Sequence, residues 1–480
     1  MRVIISLIAP IVVAVVSLNA HVAGHRQQRS VPVTFADTIA PIVYANCVSC
    51  HRPGEAAPFA LTSYEDVAKR AKLIATVTKS RYMPPWHAAP GHGDFIGERR
   101  LSDAQIEAIQ TWVAQGAPLG DVSKMPAPPQ FSSGWRLGTP DLVLEMPIEY
   151  AVPADGADIY RNFVIPTGLT EDKWVRAVEF RPGAARRAVH HALFQFIRGG
   201  AASKIDGRDG QAGFTGLAPV GFLPQFAPAG ELGVWAVGTS PRPLPNGHAV
   251  AVPAGSDFVL QLHFHPTGKV ERERSTVALY FADRAPEQKL MNMGVPGLFG
   301  ALAKIDIPPG EKNYTITGRL RMIVDMKAYG VIAHAHYLGK EMKAIATFPD
   351  GTTQPLLWIP DWDFNWQELY QYKEPVVLPT GTVIDVTISY DNSSDNPRNP
   401  SNPPRRVTFG EGSFDEMGGL RFQMATVRKD DEAVLQKVMG AAIKEGLQRA
   451  IKENMGKQKE PPPPPPPPKK PGGQGGFWPD

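Results

Sequence analysis

From about residue 140 to residue 430, short apolar runs alternate with polar positions and are broken by Pro, Gly, Asp and Asn. "DLVLEMPIEY", "YRNFVIPTG", "WVRAVEFRPG", "HALFQFIRGG", "DFVLQLHFHPTG" and "STVALYFAD" form one series. "MKAYGVIAHAHYLG", "KAIATFPDG", "PLLWIPDWDF", "VVLPTGTVIDVTISYDNSS" and "GGLRFQMATVRK" form a second. A period of two punctuated by turn residues predicts half-buried strands of sandwiches. The break near 285 predicts one all-β sandwich over 140–285 and another over 286–430. The ends of the chain differ in texture. "FADTIAPIVYANC" reads as a short helix, and "LSDAQIEAIQTWVAQGAP" as an amphipathic one with Ser102 as N-cap, Gln105 three residues on, and Gly116 and Pro118 at its end. Residues 31–121 are expected to form a small all-α unit, followed by a Pro/Ser linker over 122–139. Residues 431–459 carry the apolar spacing of a C-terminal helix suited to docking on the body or on a partner. Residues 460–480 read as a stiff polyproline spacer with a flexible, Gly-rich end.

Composition narrows this picture only a little. A length of 480 residues suggests about three domains, and 43% hydrophobic with 20% charged residues is ordinary for globular protein. The 48 Pro and 45 Gly fit a β-rich body with many turns. Net charge is +3, and no Lys/Arg run resembles a nucleic-acid-binding stripe, so no nucleic-acid partner is expected. At the N-terminus, Arg2, an apolar run from Val3 to Leu18 broken by Pro10, and the small-residue site "LNA" read as an export signal over 1–24. An uncleaved anchor is the alternative, and no other stretch could span a membrane. The expected compartment is a bacterial periplasm.

The chain has two cysteines, and both lie in "YANCVSCHRPGEAAP". In C-x-x-C-H the sulfurs of Cys47 and Cys50 add to haem vinyl groups and His51 becomes an axial iron ligand. A disulfide or redox pair is the competing reading. A redox CxxC sits at the start of a helix after an apolar strand, whereas here a helical segment precedes and a Gly/Pro loop follows. The region resembles the opening of a class I-type cytochrome c domain carrying one covalent haem c. Met83, held before Pro84-Pro85, is the candidate sixth ligand, with His87 and His92 as rivals. With both cysteines on haem the protein is disulfide-free. No thiol remains for a blue-copper site, which disfavours a multicopper oxidase, and the single CxxCH disfavours a dihaem peroxidase.

Six of the 12 histidines form three doublets: His190-His191, His263-x-His265 and His334-x-His336. On a strand, residues i and i+2 share a face, so H-x-H aims two imidazoles at one point. Adjacent His190 and His191 can share a metal only where the strand ends or bends. Imidazole-rich sites with few carboxylates suit copper or zinc, and a thioether ligand would favour copper. A zinc hydrolase is therefore an alternative chemistry.

"AVHHALFQF", "FVLQLHFHPTG", "AHAHYLGKEM" and "GSFDEMGGLRFQM" resemble, in order, four motifs of the copper type II, ascorbate-dependent monooxygenases, the family of dopamine β-hydroxylase and peptidylglycine α-hydroxylating monooxygenase. The resemblance covers about 140–430. It implies two jelly-roll-like sandwiches with one copper each. His190, His191 and His263 would hold an electron-transfer copper, with His265 outside the ligand set. His334, His336 and Met417 would hold the catalytic copper. Met417 rests on the resemblance; spacing alone leaves Met342 open. The positions that hold a peptide carboxylate in the peptide-processing enzyme are Ile332, Gly419 and Arg421 here, so peptidylglycine is not the expected substrate; Arg421 could still meet an anionic group. The implied activity is O2-dependent hydroxylation of a C–H bond of a small organic substrate. The haem would replace or supplement ascorbate, and it would be reloaded by an external donor such as a cytochrome, a quinol-linked carrier or ascorbate. The reading from a non-enzyme class is a periplasmic electron-transfer or copper-binding protein without hydroxylase activity.

Overall fold

The computed structural model describes residues 32–55, 57–131, 134–216, 228–438 and 440–441. The expected export signal and the Pro-rich tail lie outside the described residues. The architecture is predominantly β, with sheets packed face to face and few, short helices.

In the first sheet pair, a five-stranded sheet runs in the order Phe214–Thr215, Ile159–Pro166, Asp257–Phe264, Val189–Ile197, Pro228–Ala236. It packs on a four-stranded sheet ordered Leu142–Glu145, Thr276–Phe281, Lys173–Arg181, Val250–Val252. Phe258, Leu260, Leu262 and Phe264 enter the shared core with Phe180, Phe194 and Leu279. The period of two then puts Gln261 and His263 on the opposite face of the same strand.

The second pair joins a sheet ordered Met291–Val295, Gly418–Thr426, Met326–Ala335, Leu369–Leu378 to one ordered Tyr314–Arg321, Val383–Tyr390, Gly339–Thr347, Thr353–Ile359. Val331, Ala333, Ala335, Leu420, Phe422 and Met424 face its core. Ile332 and His334 therefore face away from it. Burying the two inner faces is the main stabilising term, at roughly 1.5–3 kcal/mol per large apolar side chain.

Helices Ala40–Asn46, Tyr64–Lys69, Ala71–Lys79 and Asp103–Ala114 share a small core built on Phe35, Val43, Ile74, Ile109 and Trp112. Ser102 caps the last of them through a reciprocal capping box with Gln105. The segment after Met83 leaves this core. Trp86, Ala88 and Phe95 pack instead into the core of the second sheet pair. The Ala89 N–H donates to the Trp358 carbonyl at 2.7 Å, and the Ile96 N–H to the Gln371 carbonyl at 2.8 Å. Arg99 forks onto both Glu368 oxygens at 3.0 and 2.6 Å. Trp135 and Leu137, in the expected linker, lie against Ala177, Ala278 and Tyr280 on the outer side of the first pair. At the other end, residues 431–438 and 440–441 are helical, and Leu435 is buried in the second core. No helix among the described residues is long and apolar enough to cross a membrane.

Candidate metal centres

His190 and His191 open strand Val189–Ile197. Its pairing with Asp257–Phe264 slips between Val189 and His191. The bulge re-aims the side chains, so two adjacent rings turn to one side. The register then sets His191 directly opposite His263. The Nδ1 atoms of His190, His191 and His263 stand 3.1 Å from one another in all three pairs, and all three residues are buried. A neutral imidazole has one donor and one acceptor nitrogen, so three nitrogens converging on one point cannot satisfy each other. The centre of that triangle is about 1.8 Å from each nitrogen, close to a metal–imidazole bond of about 2.0 Å. Among the described residues this trio is the one group of His, Cys, Asp or Glu with metal-binding spacing.

Two layers of partners prepare the trio. The His263 Nε2–H donates to Asp158 Oδ2 at 2.9 Å, which leaves the lone pair on Nδ1. His265 bonds the other Asp158 oxygen at 2.7 Å and stays outside the trio. Burial opposes the charge on Asp158, but the hydrogen bonds from His263 and His265 prevail and hold its carboxyl well below the usual range. Burial, aided by the neighbouring His263, holds His190 and His191 well below the ordinary imidazole value, so both rings are neutral near pH 7.

The second cluster lies on the outward face of the other sandwich. Strand Met326–Ala335 pairs with Gly418–Thr426 so that His334 faces Gly419 and Ala335 faces Gly418. One step further along this antiparallel register, Met417 comes opposite His336. His334, His336 and Met417 line one cavity, and the two imidazoles lie 5.2 Å apart at right angles. Met342 is instead fully buried between the sheets, away from both rings. Burial lowers His334 to about 4 and His336 to about 3. Gln367 Oε1 stands 2.6 Å from His334 Nδ1 and orients that ring. Glu416 anchors the corner: it accepts the N–H groups of His336 at 2.5 Å, Met417 at 2.9 Å and Leu338 at 3.0 Å. Gly418 is required beside Met417, because a Cβ there would collide with the Tyr390 hydroxyl, which donates to the Met417 carbonyl at 3.1 Å.

The two clusters face each other across the interface between the sandwiches. The Phe364 ring lies 5.1 Å from His190 and 5.7 Å from His336. Tyr160 stacks on His263 at 4.2 Å. Its hydroxyl bonds Ser413 at 3.0 Å, and Ser413 donates to Asp158 at 2.7 Å, tying one sandwich to the other. A cavity of about 60 Å³ opens between His191 and Tyr160 on one side and His334, His336 and Met417 on the other. Arg421 lies on its wall, its guanidinium over the Phe299 ring at 4.5 Å.

Cys47, Cys50, His51 and Met83 line a single apolar cleft with Phe59, Leu61 and Ile74. Neither cysteine is in a disulfide. Burial pushes the Cys47 thiol up to about 12 and raises Cys50 too, the reverse of the thiolate that disulfide exchange needs. His51 Nδ1 bonds the Phe59 carbonyl at 3.1 Å, the tautomer that presents Nε2 to a metal. These residues fit a haem with His/Met ligation. His87 is turned away, onto the Asp361 carbonyl at 3.1 Å, and His92 onto the Pro90 carbonyl at 3.0 Å. The far wall of the cleft comes from both sandwiches: Val237 and Gly238 from one, Trp366 from the other.

Asp158, Tyr160, Phe364, Gln367 and Glu416 are missing from the sequence reading. Glu416 had a local signal, an acid directly before the ligand-type Met. The others are brought in by topology alone.

No family model matches the chain, and no curated protein does. Among solved structures, the VP2 subviral particle of infectious bursal disease virus aligns at 10% identity over 60% of this chain and 72% of that one, with a TM-score of 0.18. The major capsid protein P2 of bacteriophage PM2 aligns at 10% identity over 56% and 97%, with a TM-score of 0.23. A Paenibacillus xanthan lyase aligns at 9% identity over 62% and 28%, with a TM-score of 0.16. Likeness at these scores carries no statement about what this chain does.

Proposed function

We propose that this chain is a copper-dependent monooxygenase of the copper type II kind, with an N-terminal class I-type cytochrome c domain as its electron input. It hydroxylates a C–H bond of a small organic substrate with O2 in the periplasm, where covalent haem attachment takes place. The observation that carries the reading is the trio of Nδ1 atoms at 3.1 Å, facing a His-x-His and methionine cluster across one shared cavity.

Copper, when bound, would supply O2 activation and one-electron storage, and haem c would supply electron entry. The residues of the chain do the rest. His190, His191 and His263 present their Nδ1 atoms at one point, and Asp158 fixes the orientation of His263. His334 and His336 offer two more nitrogens, beside the Met417 thioether. A soft sulfur ligand favours the reduced state of copper and disfavours zinc. Phe364 packs between His190 and His336, and Tyr160 stacks on His263. The small size of that space restricts what can approach Met417, and Arg421 on its wall offers a charge to an anionic group of the substrate.

Metal analysis of protein exported with a working haem-attachment system tests the reading. Two coppers and one acid-resistant haem per chain are expected, with O2 consumption coupled to product in a metabolite screen. Three histidines also suit catalytic zinc. Stoichiometric zinc with hydrolytic activity would favour a hydrolase, and bound copper without O2 consumption would favour an electron carrier.

A further inference from the structure

One loop, residues 362–367, reaches the cleft and both clusters. It reads W-D-F-N-W-Q and joins strands Thr353–Ile359 and Leu369–Leu378. Trp362 donates its indole N–H to the His336 carbonyl at 3.2 Å, and Phe364 lies between His190 and His336. Trp366 is buried against Val237 and Met83, edge-on to Tyr82 at 6.3 Å, and it forms the wall of the cleft that holds Cys50 and His51. Gln367 is the next residue, buried, with its Oε1 2.6 Å from His334 Nδ1 and its Nε2–H donating to the Phe364 carbonyl at 3.1 Å. From the indole in the cleft to the imidazole of the second cluster, the connection is therefore one peptide bond, one amide side chain and one short hydrogen bond.

We propose that Trp366 and Gln367 are the electron-transfer link between the haem cleft and the second cluster, so that an electron from the haem arrives first at His334, His336 and Met417 rather than at the three-histidine site. This rests on the assignment of haem to the cleft and copper to the clusters. The first sandwich also reaches this wall, through Val237 with the Trp235 ring packed beside it. From there the way to His191 crosses the strand ladder, where Ala236 pairs with His191. What sets the second sandwich apart is that Trp366 is followed directly by Gln367, whose side chain ends on the His334 ring. The step transfers one electron: haem Fe(II) becomes Fe(III), Cu(II) becomes Cu(I), no bond is made or broken and no proton moves. Gln367 is a positioning residue as well, since its oxygen accepts from Nδ1–H and leaves Nε2 of His334 with the lone pair.

The test uses the full chain loaded with haem and copper, without O2 or substrate. The haem is reduced rapidly; its ferrous band is followed, and Cu(II) is followed by freeze-quench EPR. Trp366→Leu and Gln367→Leu should each slow intramolecular haem oxidation by about tenfold or more, compared at saturating copper and in molecules shown to hold both groups, because loss of the Gln367 bond to His334 also weakens metal binding there. His263→Ala should leave the fast phase intact, and His336→Ala should remove it. Unchanged rates in both loop variants, with both groups bound, would overturn the link alone. So would a fast phase lost in His263→Ala but kept in His336→Ala. Failure of the wild type to bind haem or copper would overturn both the link and the assignment beneath it.

Discussion

Glu416 is the keystone of the second cluster, and its removal has a calculable cost. The side chain is fully buried and accepts three backbone N–H groups, from His336, Met417 and Leu338. Those three residues are themselves buried. Glu416→Ala leaves three donors without an acceptor, each costing about 1–3 kcal/mol, so the whole change costs on the order of 3–9 kcal/mol. A domain has only about 5–15 kcal/mol to lose. A water entering the space would bring the cost towards the lower end. Glu416→Gln is milder. Its carbonyl can still accept from His336 and Met417, which share Oε1, while its NH2 meets the Leu338 N–H donor to donor, for a loss of about 1–3 kcal/mol. Calorimetry of the metal-free protein should show the transition of the second sandwich shifted strongly by Ala and modestly by Gln, with that of the first sandwich in place. Copper titration should show the second site lost in the Ala variant and retained in the Gln variant. A cost below about 1 kcal/mol for Glu416→Ala, with both coppers still bound, would refute the argument that these bonds build the site.

Four further outcomes are expected. Asp158→Asn should weaken copper at the trio by about 10–100-fold in a competition titration, because His263 loses the partner that fixes its ring. Met417→Ile should abolish substrate hydroxylation, while metal analysis still finds copper at His190, His191 and His263. Met83→Ala should lower the haem potential and shift the reduced spectrum, and His87→Ala should do neither, because a methionine axial ligand raises the potential and His87 faces Asp361. The buried Arg161 forks onto Asp209 at 2.8 Å through both nitrogens, and those bonds lower the Asp209 carboxyl to about 2. A depressed acid contributes stability that is present above its unfolded value near 4 and is lost as pH falls through about 2. Acid titration of unfolding should therefore show a stability increment lost between about pH 4 and 2 in the wild type and absent in Asp209→Asn.

The sequence reached as far as local periodicity reaches. Alternation along "DFVLQLHF" is enough to place His263 opposite the core-facing Leu262 and Phe264, and the same pattern turns His334 away from Ala333 and Ala335. The His190-His191 pair was not decidable in that way. Whether adjacent rings converge depends on a slip in pairing with a strand more than sixty residues away, which one strand's own pattern does not encode. Met417 came from a motif resemblance; the structure supplies a physical reason, the antiparallel register that carries it opposite His336. Met342 is nearer to His336 in sequence but is buried in the core of the sandwich. The largest gap is the loop at 362–367. The periodicity carries "PLLWIPDWDF" as one strand run, whereas the strand ends at Ile359 and residues 362–367 form a loop. Nothing in its spacing says that Phe364 enters the space between two histidine clusters, or that Trp366 and Gln367 point to different sites. Those contacts exist because the segment after Met83 abandons the helical core and pairs along residues 358–373. That pairing draws the Cys-x-x-Cys-His cleft onto the edge of the second sandwich. A chain that only tethered a haem carrier to a copper-binding body would not need Trp86 and Phe95 buried in the body's core. Their burial fixes the cleft in one orientation, with Trp366 as its wall, and it makes the 84–97 segment rather than the Pro-rich stretch at 122–139 the element that sets how the helical unit meets the sandwiches.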